Sequence, residues 1–101
     1  MHAITRAEVV NALKECVDPE IGINIVDLGL IHWIGIDKDN NVTLRLTMTS
    51  PMCPVTSIIL ADAQLRLEHI PDIGNVNIDL VWEPAWIPEM IVEEVRMSMQ
   101  V

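Results

Sequence analysis

Thr47-Met48-Thr49-Ser50-Pro51-Met52-Cys53-Pro54 decides the fold, because here an alternating run breaks at two prolines and a helical pattern takes over. Backwards from it, Val42 to Thr49 alternates strictly. Val42, Leu44, Leu46 and Met48 share one face, and Thr43, Arg45, Thr47 and Thr49 share the other, which predicts a strand with one side buried. Forwards from it, Pro54 suits the first position of a helix, since its ring presets φ and the N–H it lacks would have no intrahelical partner there. Cys53 is then the N-cap, whereas a start at Ser50-Pro51 puts it inside the first turn. In both cases its thiol meets free N–H groups and the positive end of the helix dipole, which favour the thiolate. A thiolate attacks electrophiles and binds soft metals; the alternative is a small apolar side chain filling a gap.

The helix after Pro54 extends to about His69, with Val55, Ile59, Ala63, Leu67 and Ile70 on one stripe, and Pro71-Asp72-Ile73-Gly74 stops it. Before the alternating strand, Leu30 to Ile36 reads as a strand apolar on both faces and so covered on both. Its His32 fits a hydrogen-bonded or half-exposed residue better than a ligand. The polar turn Asp37-Lys38-Asp39-Asn40-Asn41 joins the two as an antiparallel hairpin. After the helix, Val76 to Trp82 alternates again, with Trp82 inward, and a strand reached through a crossover helix runs parallel to its predecessor. Glu83-Pro84-Ala85-Trp86-Ile87-Pro88 cannot be regular structure, and parallel strands end on one side of the sheet. Trp86 is therefore expected beside the Cys53 turn, as a lid over the core or a wall of a thiol site. A last helix is expected from Glu89 to about Met99.

At the other end, Thr5-Arg6-Ala7-Glu8 fits a capping box, with Ile4 and Val9 spaced for the hydrophobic staple. The stripe Val9, Leu13, Cys16 and Val17 then carries the helix to Asp18-Pro19 and puts Cys16 in the core. From Asp18 to Leu30 the acids Asp18, Glu20 and Asp27 alternate irregularly with aliphatics. This is an ordered loop, either turn chemistry in which Asp18 bonds neighbouring backbone or an acidic wall facing Cys53. The expected fold is one α+β domain over residues 1–101, a small mixed three-stranded sheet (antiparallel hairpin plus a third strand after a crossover helix) packed with three helices.

With 15 acidic and 6 scattered basic side chains, the formal charge of −9 argues against nucleic acid and against an anionic membrane surface, both of which need clustered positive charge. The start Met1-His2-Ala3-Ile4 lacks the basic and apolar runs of a signal peptide, so a cytoplasmic location with reduced cysteines is expected. No Cys-x-x-Cys, His-Glu-x-x-His or glycine-rich phosphate loop occurs. Two distant cysteines cannot supply a closed metal site alone, whereas a symmetric homodimer presenting Cys53 twice would bridge a labile cluster once a small thiol or a partner completed the shell.

Three pieces in order, Asp18-Pro19-Glu20 continuing to Asn24-Ile25-Val26-Asp27-Leu28-Gly29-Leu30, then Thr49-Ser50-Pro51-Met52-Cys53-Pro54, then Trp82-Glu83-Pro84-Ala85-Trp86, resemble the MIP18 family, the former DUF59 group. That family includes SufT-type proteins, PaaD-type subunits associated with phenylacetate oxygenation, and a domain fused to some Mrp-type ATPases. The resemblance implies an iron-sulfur cluster assembly type of domain that matures iron-sulfur proteins as carrier, scaffold accessory or adaptor, without enzymatic turnover. Cys53 matches the family's reactive cysteine, and Asp18 and Glu20 match its acidic motif. The surrounding site implied is Asp18, Glu20, Asn24, Asp27, Thr49, Ser50 and Trp86. No cofactor is expected to bind stably, although an iron-sulfur cluster held transiently by Cys53 between subunits fits, and the partners implied are the assembly machinery and client apo-proteins. Ala85 and Ile87 depart from the family's usual proline and helix-capping Ser or Thr. A PaaD-type oxygenase subunit is the alternative, but such chains tend to carry a cysteine-rich tail where this sequence stops at Val101. A cysteine-nucleophile enzyme, the third class, needs a histidine beside Cys53.

Overall fold

The computed structural model describes residues 2–49, 56–83 and 86–91. Helix α1, Arg6–Leu13, begins as the capping box requires: Thr5 Oγ1 accepts from the Glu8 N–H at 3.2 Å, and Glu8 Oε1 accepts from the Thr5 N–H at 3.3 Å. It ends a turn earlier than its apolar stripe suggests. Glu15 and Cys16 N–H groups tighten onto the carbonyls of Ala12 and Leu13, and Val17 then pairs with Asn24 as an isolated antiparallel bridge. Asp18 precedes a proline and is biased away from helical φ/ψ, so the backbone is extended before the proline is reached. Cys16 still enters the core, but Val17 is left 46% exposed.

The sheet has the order β1-β2-β3. Strand β1, Ile31–Ile36, pairs antiparallel with β2, Val42–Leu46, which pairs parallel with β3, Val76–Leu80. The connection from β2 to β3 contains α2, Thr56–Glu68, whose Ile59, Ala63 and Leu67 are buried; the expected first turn at Pro54 and Val55 lies outside the described residues. Val42, Leu44, Leu46 and Met48 are buried as their alternation requires, and with α1 and α2 they build one apolar cluster that includes Cys16.

Four expectations are corrected. Strand β1 is an edge strand with a bulge at Ile31/Trp33, and only Ile34 is buried in it, so it is not covered on both faces. Strand β3 stops at Leu80, and Trp82 is 41% exposed rather than inward. Thr47, expected on the outer face, is fully buried: beyond β2 its N–H donates to the Leu30 carbonyl, which brings the loop before β1 across it. Residues 88–90 form a 3₁₀ turn, Pro88–Met90, and Ile91 is a bend, so the last helix does not start at Glu89 as expected; its remaining positions, 92–99, lie outside the described residues.

His2 ties the start of the chain down, its Nδ1 lying 2.8 Å from Asp72 and its Nε2 3.0 Å from Glu8. The hydrogen bonds to Glu8 and Asp72 raise the imidazole above its usual range, and the same bonds lower both carboxyls. A raised histidine stabilises fully below its unfolded value near 6.5 and loses that contribution as pH climbs through the folded value; lowered carboxyls lose theirs as pH falls. The cluster is therefore best formed between about pH 4.5 and 6.5. His2→Gln should lower the melting temperature measurably at pH 5.5 and hardly at all at pH 8.5.

Candidate functional site

The loop between α1 and β1 is built from its own polar groups. Asp18 is 2% exposed, and its Oδ1 accepts from the backbone of Glu20 at 2.9 Å and Ile21 at 3.3 Å while its carbonyl accepts from Gly22 at 2.7 Å. Such a carboxylate holds a turn rather than facing solvent. Glu20 is exposed at the tip.

Residues 24–30 form a single helical turn capped at both ends. Asn24 Oδ1 accepts from Val26 and Asp27 N–H at 3.0 and 2.9 Å, and its Nδ2 donates to Asp27 Oδ2 at 2.9 Å, which is N-cap geometry. At the far end the Leu30 N–H reaches the Ile25 carbonyl and the Gly29 N–H reaches that of Val26, with Gly29 at φ +77°, the Schellman pattern. Asn24 and Asp27 thus shape the turn.

Two contacts join this turn to the chain after β3. Trp86 Nε1 donates to the Leu28 carbonyl at 2.7 Å, and the Met90 carbonyl packs so close to Gly29 that any Cβ there would collide with it. Trp86 is half-buried against the core. Through Thr47 and Leu30 the same turn meets the end of β2, where Thr49 is half-buried. The structure therefore gathers the Asp18 loop, the 24–30 turn, Trp86 and the end of β2 at one end of the sheet, where the chain leaves toward Cys53 and returns at α2. Ser50 and Cys53 themselves lie outside the described residues. Sequence reasoning gives Gly29 and Leu28 no functional part; the spacing Asn24-x-x-Asp27-x-Gly29, a cap followed by a glycine stop, is the available signal.

Cys16 is sealed in the core, with Sγ 3.7 Å from the Ile59 carbonyl of α2. Burial, then the charge of Asp62 and its hydrogen bond, push its thiol up to about 12. It stays protonated and is no ligand. Among the described residues no group of three or more His, Cys, Asp or Glu side chains is placed to hold a metal ion, and no helix is long and apolar enough to cross a membrane.

The hairpin, the crossover helix and the parallel third strand make a small α+β domain with a mixed three-stranded sheet, and the loop and turn before β1 pack against the exit of its central strand. The model of the iron-sulfur cluster assembly protein family matches residues 6–80, and the chain belongs to that family. It is 36% identical over 95 residues to an Fe-S protein maturation auxiliary factor of Porphyromonas gingivalis, covering 94% of this chain and 90% of that one. Against the Fe-S protein maturation auxiliary factor SufT of Staphylococcus aureus it is 33% identical, covering 84% of this chain and 97% of the relative. The solved structure of a conserved hypothetical protein from Thermotoga maritima is similar over 100% of this chain and 99% of its own, at 40% identity and TM-score 0.88.

Proposed function

We infer that this chain is an accessory factor in iron-sulfur cluster assembly, serving the maturation of iron-sulfur proteins. The observation that carries the reading is its near full-length similarity to relatives named as Fe-S protein maturation auxiliary factors. It acts without turnover, on the assembly machinery and client apo-proteins in the cytoplasm. A third helix after Ile91, within the span expected to end near Met99, belongs to the same reading, since Val92, Val95 and Met99 recur at helical spacing.

Cys53 is its contact with metal, sulfur or a partner thiol. Of the two cysteines in the sequence, Cys16 is locked in the core as a neutral thiol, which leaves Cys53 for sulfur chemistry. An iron-sulfur cluster wants four soft ligands, and one chain offers one. The cluster is therefore cargo, completed by a second copy, a partner or a small thiol, and held transiently. Asp18, Glu20, Asn24, Asp27, Thr49, Ser50 and Trp86 form the surroundings, most of them by holding the loop and turn in place.

Cys53→Ala should abolish the gain in client enzyme activity while leaving the melting temperature within a degree or two of the parent. Unchanged client activity would overturn the role of Cys53, and a lost fold would make it a packing residue. In the native protein at pH 8, iodoacetamide should modify Cys53 readily. Cys16, three pH units above the usual thiol value, should react about a thousandfold more slowly until the chain is unfolded.

A further inference from the structure

The outer face of the sheet, opposite α1 and α2, carries a row that crosses all three strands. The pairing aligns Trp33 of β1 with Arg45 of β2, and Arg45 with Asp79 of β3. The Trp33 ring folds back over Gly35, so closely that a Cβ at residue 35 would collide with it, and the Arg45 guanidinium lies 5.0 Å from the ring centroid. Asp79 Oδ2, 4.0 Å from Arg45 Nε, holds the arginine from the other side. A bare glycine under a flat indole beneath a stacked guanidinium is a preformed platform.

Over this platform opens a cavity of about 680 Å³, within the size range of small-molecule sites, lined among others by Ile31, His32, Trp33, Arg45, Val81 and Glu83. Its polar groups include opposite charges, and Glu83 is exposed and makes no ion pair with a described residue. His32, which also lines the cavity, has a buried Nε2 without a hydrogen-bond partner among the described residues.

We propose that this cavity binds a small zwitterion of the amino-acid type, its carboxylate on Arg45, its ammonium on Glu83 and its apolar body against Ile31 and Val81. Arg45 presents the planar fork that carboxylates prefer, and Glu83 selects against ligands bearing only negative charge in a protein of formal charge −9. No contact in this proposal involves Cys53, so the Cys53→Ala protein should bind equally and the two readings fail independently.

The test is titration of ¹⁵N-labelled full-length protein with L-leucine, L-leucinamide and N-acetyl-L-leucine, following the side-chain signals of Trp33, Arg45 and His32. Leucine should shift these signals at saturable concentrations. The amide, lacking the carboxylate, and the acetylated form, lacking the ammonium, should each bind about tenfold or more weaker. Arg45→Gln should cost leucine about tenfold and leave the amide unchanged, and Glu83→Gln should do the same with the acetylated form unchanged. Both positions are exposed, and the remaining backbone signals report whether each variant is folded. Absence of any shift, equal binding of all three compounds, or leucine binding indifferent to both substitutions would overturn the proposal.

Discussion

Gly29→Ala is expected to lower the melting temperature by about 15 °C or more, an unusually large loss for the addition of one methyl group. Two causes add. Residue 29 stands at φ +77°, where an L side chain costs about 1–2 kcal/mol. The new Cβ would also collide with the Met90 carbonyl, a backbone atom that cannot swing aside as a side-chain tip would. Overpacking of that kind costs about 1–3 kcal/mol more, giving about 2–5 kcal/mol against a total stability of about 5–15. Relief requires the 86–91 segment to move away, which would draw Trp86 from the Leu28 carbonyl. The internal control is Gly22, at φ +82° with nothing within 4 Å of the point a Cβ would occupy. Gly22→Ala should cost only about 1 kcal/mol. Thermal unfolding of both variants separates backbone conformation from collision; equal losses would show that the Met90 contact contributes nothing.

Asn40→Ala is expected to cost about 3–5 kcal/mol, although the residue sits in a polar hairpin turn where substitutions are normally mild. The side chain is 2% exposed. Its Oδ1 accepts from the Ile4 N–H at 3.0 Å, and its Nδ2 donates to the carbonyls of His2 at 2.8 Å and Asp72 at 3.1 Å, joining three chain segments distant in sequence. Alanine would leave those backbone groups without a partner, each at about 1–3 kcal/mol when buried, and would sit at φ +62° as well. Asn40→Gly removes the conformational part alone, so it should recover about 1 kcal/mol relative to alanine and no more. A glycine variant as stable as the parent, by urea unfolding, would show that the hydrogen bonds carry no net stability.

Both residues illustrate what sequence reading passes over. In the sequence Asn40 is one of several turn formers in Asp37-Lys38-Asp39-Asn40-Asn41, and Gly29 is a pause before a strand. What makes them costly to change is who stands next to them, Ile4 and Asp72 in one case and Met90 in the other, at separations of 32 to 61 positions along the chain. The same limit explains Thr47 and Trp82. Period-two alternation states which side of a strand a residue takes, but whether that side is covered depends on a loop arriving from elsewhere, as Leu30 does over Thr47.

By itself the sequence determined the capping box and hence the start of α1, the hairpin, the crossover helix with its buried stripe, the parallel third strand and the identity of the family. Each of these is written in local chemistry or in periodicity, because a cap, a turn or an apolar face is set by residues within a few positions of one another. Tertiary structure alone decided that α1 stops at Leu13, that Asp18 turns inward to hold its own loop, and that Asn24 and Asp27 cap a turn locked under Trp86. These depend on desolvation and on contacts between segments far apart in the chain, and no spacing in the sequence encodes how deeply a side chain will be covered.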